Sequence, residues 1–133
     1  MNEAINPPGW LPGKTANGTR HLNWGVKDGN HVYVAGMLSL DPYDGSLVGA
    51  GDITLQTRRV LDSIKTVIEL AGGTMADVTF NQIFLRTMDD YDAMNAVYVE
   101  YFKDFLPARF CLKGEMVKPD FLVEIATTAV ITR

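Results

Sequence analysis

The chain has one cysteine, Cys111, and two histidines, His21 and His31. A lone thiol closes no intramolecular disulfide and forms no CxxC pair, and so few imidazoles leave a transition metal without a soft ligand set, so chemistry without metal or cofactor is expected. Lysine and arginine form no cluster and the net charge is −4, which argues against a phosphate-binding surface and hence against a nucleic-acid partner. No apolar run approaches the roughly 18–20 residues of a membrane span. The first residues lack the basic start and apolar centre of a signal peptide, so the expected location is cytoplasmic. Gly13-Lys14-Thr15 imitates the end of a phosphate loop, but Pro8 stands where the first glycine belongs and no strand precedes the motif.

What remains is a chain of 133 residues, 47% apolar and 21% charged, sized for a single domain spanning 1–133. Residues 1–19 hold three of the six prolines and read as an extended arm. Residues 21–26 and 31–38 form a hairpin around Asp28-Gly29. Residues 40–53, rich in turn chemistry, make a loop. A helix capped by Asp52 or Thr54 then carries Leu61, Ile64, Ile68 and Ala71 on one face, with Gly72-Gly73 as its stop. Residues 77–87 favour a strand, and Asp89-Asp90 caps a second helix whose stripe is Tyr91, Met94, Tyr98, Tyr101 or Phe102, and Phe105. Residues 109–115 and 121–132 read as two neighbouring strands, the second central, joined through Lys118-Pro119-Asp120. The order β-β-α-β-α-β-β predicts an α+β fold with two helices on one face of a mixed sheet. The last strand is apolar on both faces and no third helix exists to cover it, so a partner subunit is the expected cover.

Glu124 is a carboxylate in the middle of that apolar strand, and it must be paired or used. If the last two strands pair antiparallel around residues 117–120, Arg109 comes to the same end of the sheet. The two then form either a structural ion pair or a small-molecule site in which Arg109 grips a carboxylate in a bidentate manner and Glu124 handles a proton or a water.

The segments Pro107-Ala108-Arg109-Phe110-Cys111, Val117-Lys118-Pro119-Asp120 and Leu122-Val123-Glu124-Ile125-Ala126-Thr127 resemble the C-terminal signature of the reactive intermediate deaminase (Rid/YjgF) family. Val34-Ala35-Gly36 and the Asn95 of Met94-Asn95-Ala96 agree with it, and the stretch from Ala71 to Asn81 is similar to the family's RutC branch, assigned to 3-aminoacrylate. The resemblance implies a chorismate-mutase-like fold with a six-stranded-type sheet, a homotrimer with pockets between subunits, and hydrolysis of small enamine or imine acids to the oxo-acid and ammonia. It implies that Arg109 binds the substrate carboxylate, that Glu124 orients or deprotonates water, and that Cys111, Asn95, Ala35 and Gly36 line the pocket. Leu22 stands where many members carry tyrosine and Ala35 where they carry serine, so two pocket hydroxyls are missing and Trp24 offers an aromatic wall instead. An aminomuconate-like substrate, or an oxo-acid-binding, chaperone-like trimer without turnover, are the alternatives.

Overall fold

The computed structural model describes residues 1–132. One six-stranded sheet carries two helices on one face. The first helix, α1 (Ile53–Leu70), starts where the Asp52 side chain accepts from the Leu55 amide at 3.0 Å. It buries Val60, Leu61, Ile64, Val67 and Ile68, the stripe legible in the sequence. It ends where Gly72, at φ +96°, lets its own amide reach Glu69 O and the Gly73 amide reach Ile68 O, a Schellman closure. Lys27 adds a cation there, donating to Ala71 O at 2.9 Å.

The strands are β1 (Asn2–Ile5), β2 (Gly13–Lys14), β3 (Arg20–Leu22), β4 (Gly25–Asp28), β5 (His31–Met37), β6 (Val78–Leu85), β7 (Ala108–Lys113) and β8 (Val123–Val130). The large sheet runs β1-β4-β5-β8-β6-β7, and β2 and β3 pair separately. The extended arm expected for residues 1–19 is thus partly ordered: β1 closes one sheet edge against β4, and β2 folds onto β3. The first strand of the expected hairpin is interrupted at residues 23–24, and β4 begins only at Gly25.

The second helix, α2 (Tyr91–Tyr101), buries Met94, Val97 and Tyr98. The Asp89-Asp90 cap does not form. Thr87 accepts from the Asp89 amide instead and starts a short 3-10 turn, while Phe105 lies beyond the helix, exposed. Tyr101 ties the two helices, donating to Asp62 at 2.6 Å; burial and that carboxylate push its hydroxyl up to about 12.

The expected hairpin between the last two strands is absent. β8 is central, flanked by β5 and β6, whereas β7 occupies the far edge and pairs parallel with β6. The reason is the helix between them: β6-α2-β7 is a strand-helix-strand crossover, which returns the chain parallel to its start. Val32, Val34, Ile83, Leu85, Val123, Ile125 and Ala129 face the helices and form the core. On the opposite face Phe110 meets Phe80 and Phe84 edge-on, and Leu112 and Tyr33 stand about half exposed. This face carries a run of apolar side chains that none of the described residues covers. Among the described residues no helix is long and apolar enough to cross a membrane.

Candidate functional site

Side chains alternate along a strand and cross-strand partners share a face. Glu124 registers with Phe84, which registers with Leu112, and all three lie on the helix-free face. Arg109 registers with Asn81, which registers with Thr127, and these lie under the helices. Within one chain Arg109 and Glu124 are therefore on opposite faces with β6 between their strands, and the expected Arg109–Glu124 ion pair is not formed.

The carboxylate sits in a cavity of about 220 Å³. Between Val34 and Met37, β5 takes three steps while β8 takes two, from Thr127 to Ile125, and the bulge brings Gly36 against Glu124. Leu22, Trp24 and Gly36 line the cavity with Glu124, and the Ala35 amide donates to Trp24 O at 2.9 Å, fixing that wall to the strand. Among the described residues Glu124 has no hydrogen-bond or ion-pair partner, and burial alone pushes its carboxyl above the ordinary range. A carboxylate so placed is suited to taking up and returning a proton.

Arg109 belongs to a second cluster. Its guanidinium lies 4.7 Å from the Tyr98 ring centroid and 5.7 Å from that of Tyr91, and it donates to Tyr91 Oη at 3.1 Å. Tyr91, Asn95 and Tyr98 follow at i, i+4 and i+7 on α2, so Asn95 shares the stripe that meets Arg109. Cys111 is two residues along β7 on Arg109's face. Burial pushes its thiol up while Arg109 pulls it down, and no base among the described residues adjoins it, so it is poorly suited to act as a nucleophile. Among the described residues the guanidinium faces no carboxylate.

Beneath Arg109 runs a buried polar chain that the sequence reading missed. Thr127 Oγ1 donates to Asn81 Oδ1 at 2.7 Å, and Asn81 Nδ2 donates to Tyr98 Oη at 2.9 Å, which fixes the ring on which the guanidinium rests. Gln56, fully buried, was missed too. It donates to Gly49 O and Asp120 O and accepts from the Leu122 amide, tying the 40–53 loop to the segment leading into β8. Arg86 holds the same segment through Phe121 O and Lys118 O. A polar residue within the apolar stripe of α1, and an asparagine at a buried position of a strand, were the available signals.

The model of the family described as Endoribonuclease L-PSP matches residues 15–131. A curated protein of Acinetobacter baylyi named 3-aminoacrylate deaminase RutC is 52% identical over 104 residues, covering 78% of this chain and 82% of that protein. A solved structure from Thermotoga maritima, described there as a candidate endoribonuclease, superposes with a TM-score of 0.87 at 30% identity and full coverage of both chains. The Yersinia pestis protein YyfA, assigned to the Rid family, gives a TM-score of 0.86 at 26% identity over 98% of this chain and all of that one. With the family model spanning nearly the whole sheet and its helices, and the Arg109 and Glu124 segments inside it, the chain belongs to the Rid/YjgF family.

Proposed function

We propose that the protein is a hydrolytic deaminase of small enamine and imine acids of the 3-aminoacrylate type, working as a homotrimer with its pockets between subunits. The observation that carries this is the presence of two charges unmet among the described residues: a carboxylate in an apolar cavity on one face of the sheet, and a guanidinium without counter-ion on the other. A heterologous contact between copies brings the first face of one subunit to the second face of the next, and repetition around a ring closes it. Burial of the apolar helix-free face supports the same assembly. The name of the Acinetobacter relative supports the substrate type.

In this reading Arg109 holds the substrate carboxylate with two parallel hydrogen bonds. Glu124, whose pKa is raised, gives its proton to the enamine carbon next to the carboxylate, and the nitrogen-bearing carbon becomes an iminium. The ionised Glu124 then takes a proton from a water as that water adds to this carbon. That proton passes from Glu124 to the nitrogen, and as the C–N bond breaks the carbinol hydroxyl gives its proton back to Glu124, so ammonia and the oxo-acid leave and the carboxyl group is protonated again. Positioning the acid beside one water supplies the entropy that the spontaneous reaction lacks.

The test is complementation. Arg109→Ala and Glu124→Gln are each expected to lose acceleration of ammonia release from 3-aminoacrylate. Unfolding and refolding the two variants as an equal mixture regenerates about a quarter of the pockets with both native groups, and activity returns accordingly. A mixture as inactive as its parts, at matched trimer content, refutes the shared pocket. Undiminished turnover by Glu124→Gln alone refutes the chemistry. A non-catalytic oxo-acid-binding trimer would instead show no turnover in wild type.

A further inference from the structure

Outside the proposed pocket, a second cleft of about 430 Å³ opens on the solvent side of the two helices. It shares no residue with the Glu124 cavity. One wall belongs to α1, where Arg58, Lys65 and Glu69 stand at i, i+7 and i+11 and so form a single stripe about 16 Å long. Glu100, Lys103 and Asp104, from the end of α2 and the residues after it, make the other wall. Residues 74–76, just before β6, complete the lining.

The cleft has a fixed frame. The Arg58 guanidinium donates to Glu100 Oε2 at 2.8 Å and bridges α1 to α2. Tyr101, bound to Asp62, holds the helices together one turn further along α1. The Thr74 amide donates to Asp77 Oδ2 at 2.8 Å, which fixes the turn before β6. Tyr101 and Met75 are partly buried and packed against the core, so the cleft carries apolar surface between its charged walls. Its volume falls within the roughly 300–1,000 Å³ of small-molecule sites.

Its charges are balanced but not satisfied. Three cations and three anions line it, and Arg58 and Glu100 neutralise one of each. Among the described residues Lys65, Glu69, Lys103 and Asp104 form no ion pair, so each wall offers one ammonium and one carboxylate. A simple anion would meet two carboxylates here and a simple cation two ammonium groups, so a ligand of one sign gains little. A ligand carrying both charges a few ångströms apart meets opposite charge at each end.

We infer that this cleft binds a free α-amino acid as its zwitterion. The carboxylate lies toward Lys65 and Lys103, the ammonium toward Glu69 and Asp104, and an aliphatic side chain rests on Tyr101 and Met75. The inference goes beyond the deaminase reading and stands independently of it.

The test is a titration of the isotope-labelled full-length protein with L-leucine, followed through backbone amide NMR shifts. Saturable shifts at residues 58–69, 74–76 and 100–104 are expected, with a dissociation constant of about 1 mM or tighter. Isoamylamine and isocaproate keep the leucine side chain and one charge each. Both should bind about fivefold or more weakly, the effect of losing one charge pair at a partly exposed site. The double variant Lys65→Met, Lys103→Met should weaken leucine by a similar factor without weakening the amine. Glu69→Gln with Asp104→Asn should weaken leucine without weakening the acid. All four side chains are exposed and unpaired, so both variants keep the fold. Absence of saturable shifts up to about 10 mM leucine overturns the site, as does equal binding of leucine and its two one-charge analogues. Shifts centred instead on Gly36 and Glu124, and lost in Arg109→Ala, put the amino acid in the deaminase pocket and overturn it too.

Discussion

Gly36 offers a perturbation whose effect follows almost entirely from geometry. Its backbone is not in the left-handed region, so alanine is conformationally acceptable there. The added Cβ would fall inside van der Waals contact of Glu124 Oε2 and stand 3.3 Å from Cδ. The three nearest atoms all belong to Glu124, the far end of a flexible side chain, so the carboxylate retreats and the fold persists. Ordinary contact distance demands a displacement of about 1 Å, and a misplacement of that size at a reacting group typically lowers rate by about 100-fold. Stability should change by less than about 1 kcal/mol, a shift of only a few degrees in Tm. Gly36→Ala is therefore expected to keep wild-type Tm and assembly while losing about two orders of magnitude in kcat for ammonia release, a split that an ordinary packing defect would not give. Activity within about threefold of wild type at unchanged Tm would falsify the placement of Glu124 at the reacting carbon.

Four further outcomes are expected. Asn81→Ala leaves the Thr127 and Tyr98 hydroxyls unpaired in the core and should lower unfolding free energy by about 2–4 kcal/mol in urea titrations; a loss under about 1 kcal/mol contradicts the buried chain. Tyr98→Leu removes the ring beneath Arg109 and should raise KM for the acid about tenfold more than Tyr98→Phe, which keeps the ring; equal KM values dismiss the platform. Gln56→Leu loses three hydrogen bonds and leaves the Asp120 carbonyl and the Leu122 amide unmet, while Gly49 O keeps the Asp52 amide, so a loss of about 2–4 kcal/mol is expected, and a neutral result shows that the loops hold without it. For Glu124 the folded state binds its proton more tightly than the unfolded chain does, so ionisation opposes folding and wild-type stability falls as pH rises from the ordinary glutamate range through the raised value. Glu124→Gln should accordingly match or exceed wild-type Tm at neutral pH, with the gap closing in acid; a less stable glutamine variant at pH 7 signals a stabilising contact made by the carboxylate.

Much of this architecture could be read from residues whose roles are local. The α1 stripe, its Asp52 start and its Gly72 stop, and the turn at Asp28-Gly29 each depend on neighbours within a few positions. The edge strand β1 was hidden because the prolines and glycines after it dominate the composition of the arm, while its partner β4 lies some twenty residues away. Strand order failed for a comparable reason: apolar runs say that β7 and β8 are strands but not which strand each one joins. A usable signal was nevertheless present. An eleven-residue helix between β6 and β7 permits a parallel return of β7 beside β6, and with β8 on the other edge of β6 neither the tight β7–β8 hairpin nor the intrachain Arg109–Glu124 contact forms. Singling out Arg109, Glu124, Gly36 and Trp24 as candidate site residues depended on local motifs, whereas Tyr98, Asn81 and Thr127 surfaced only once the register had joined three distant segments.

Because the acid and the cation point away from one another across the sheet, no bending of a single chain can unite them. Catalytic capacity under the proposed assembly is then a property of junctions. A lone subunit has none, a pair sharing one contact has one, and only a closed ring gives every chain's two halves a complement. Specific activity should consequently fall on dilution well before any chain unfolds, and a defective subunit should silence the pocket on each of its sides according to which half it has lost.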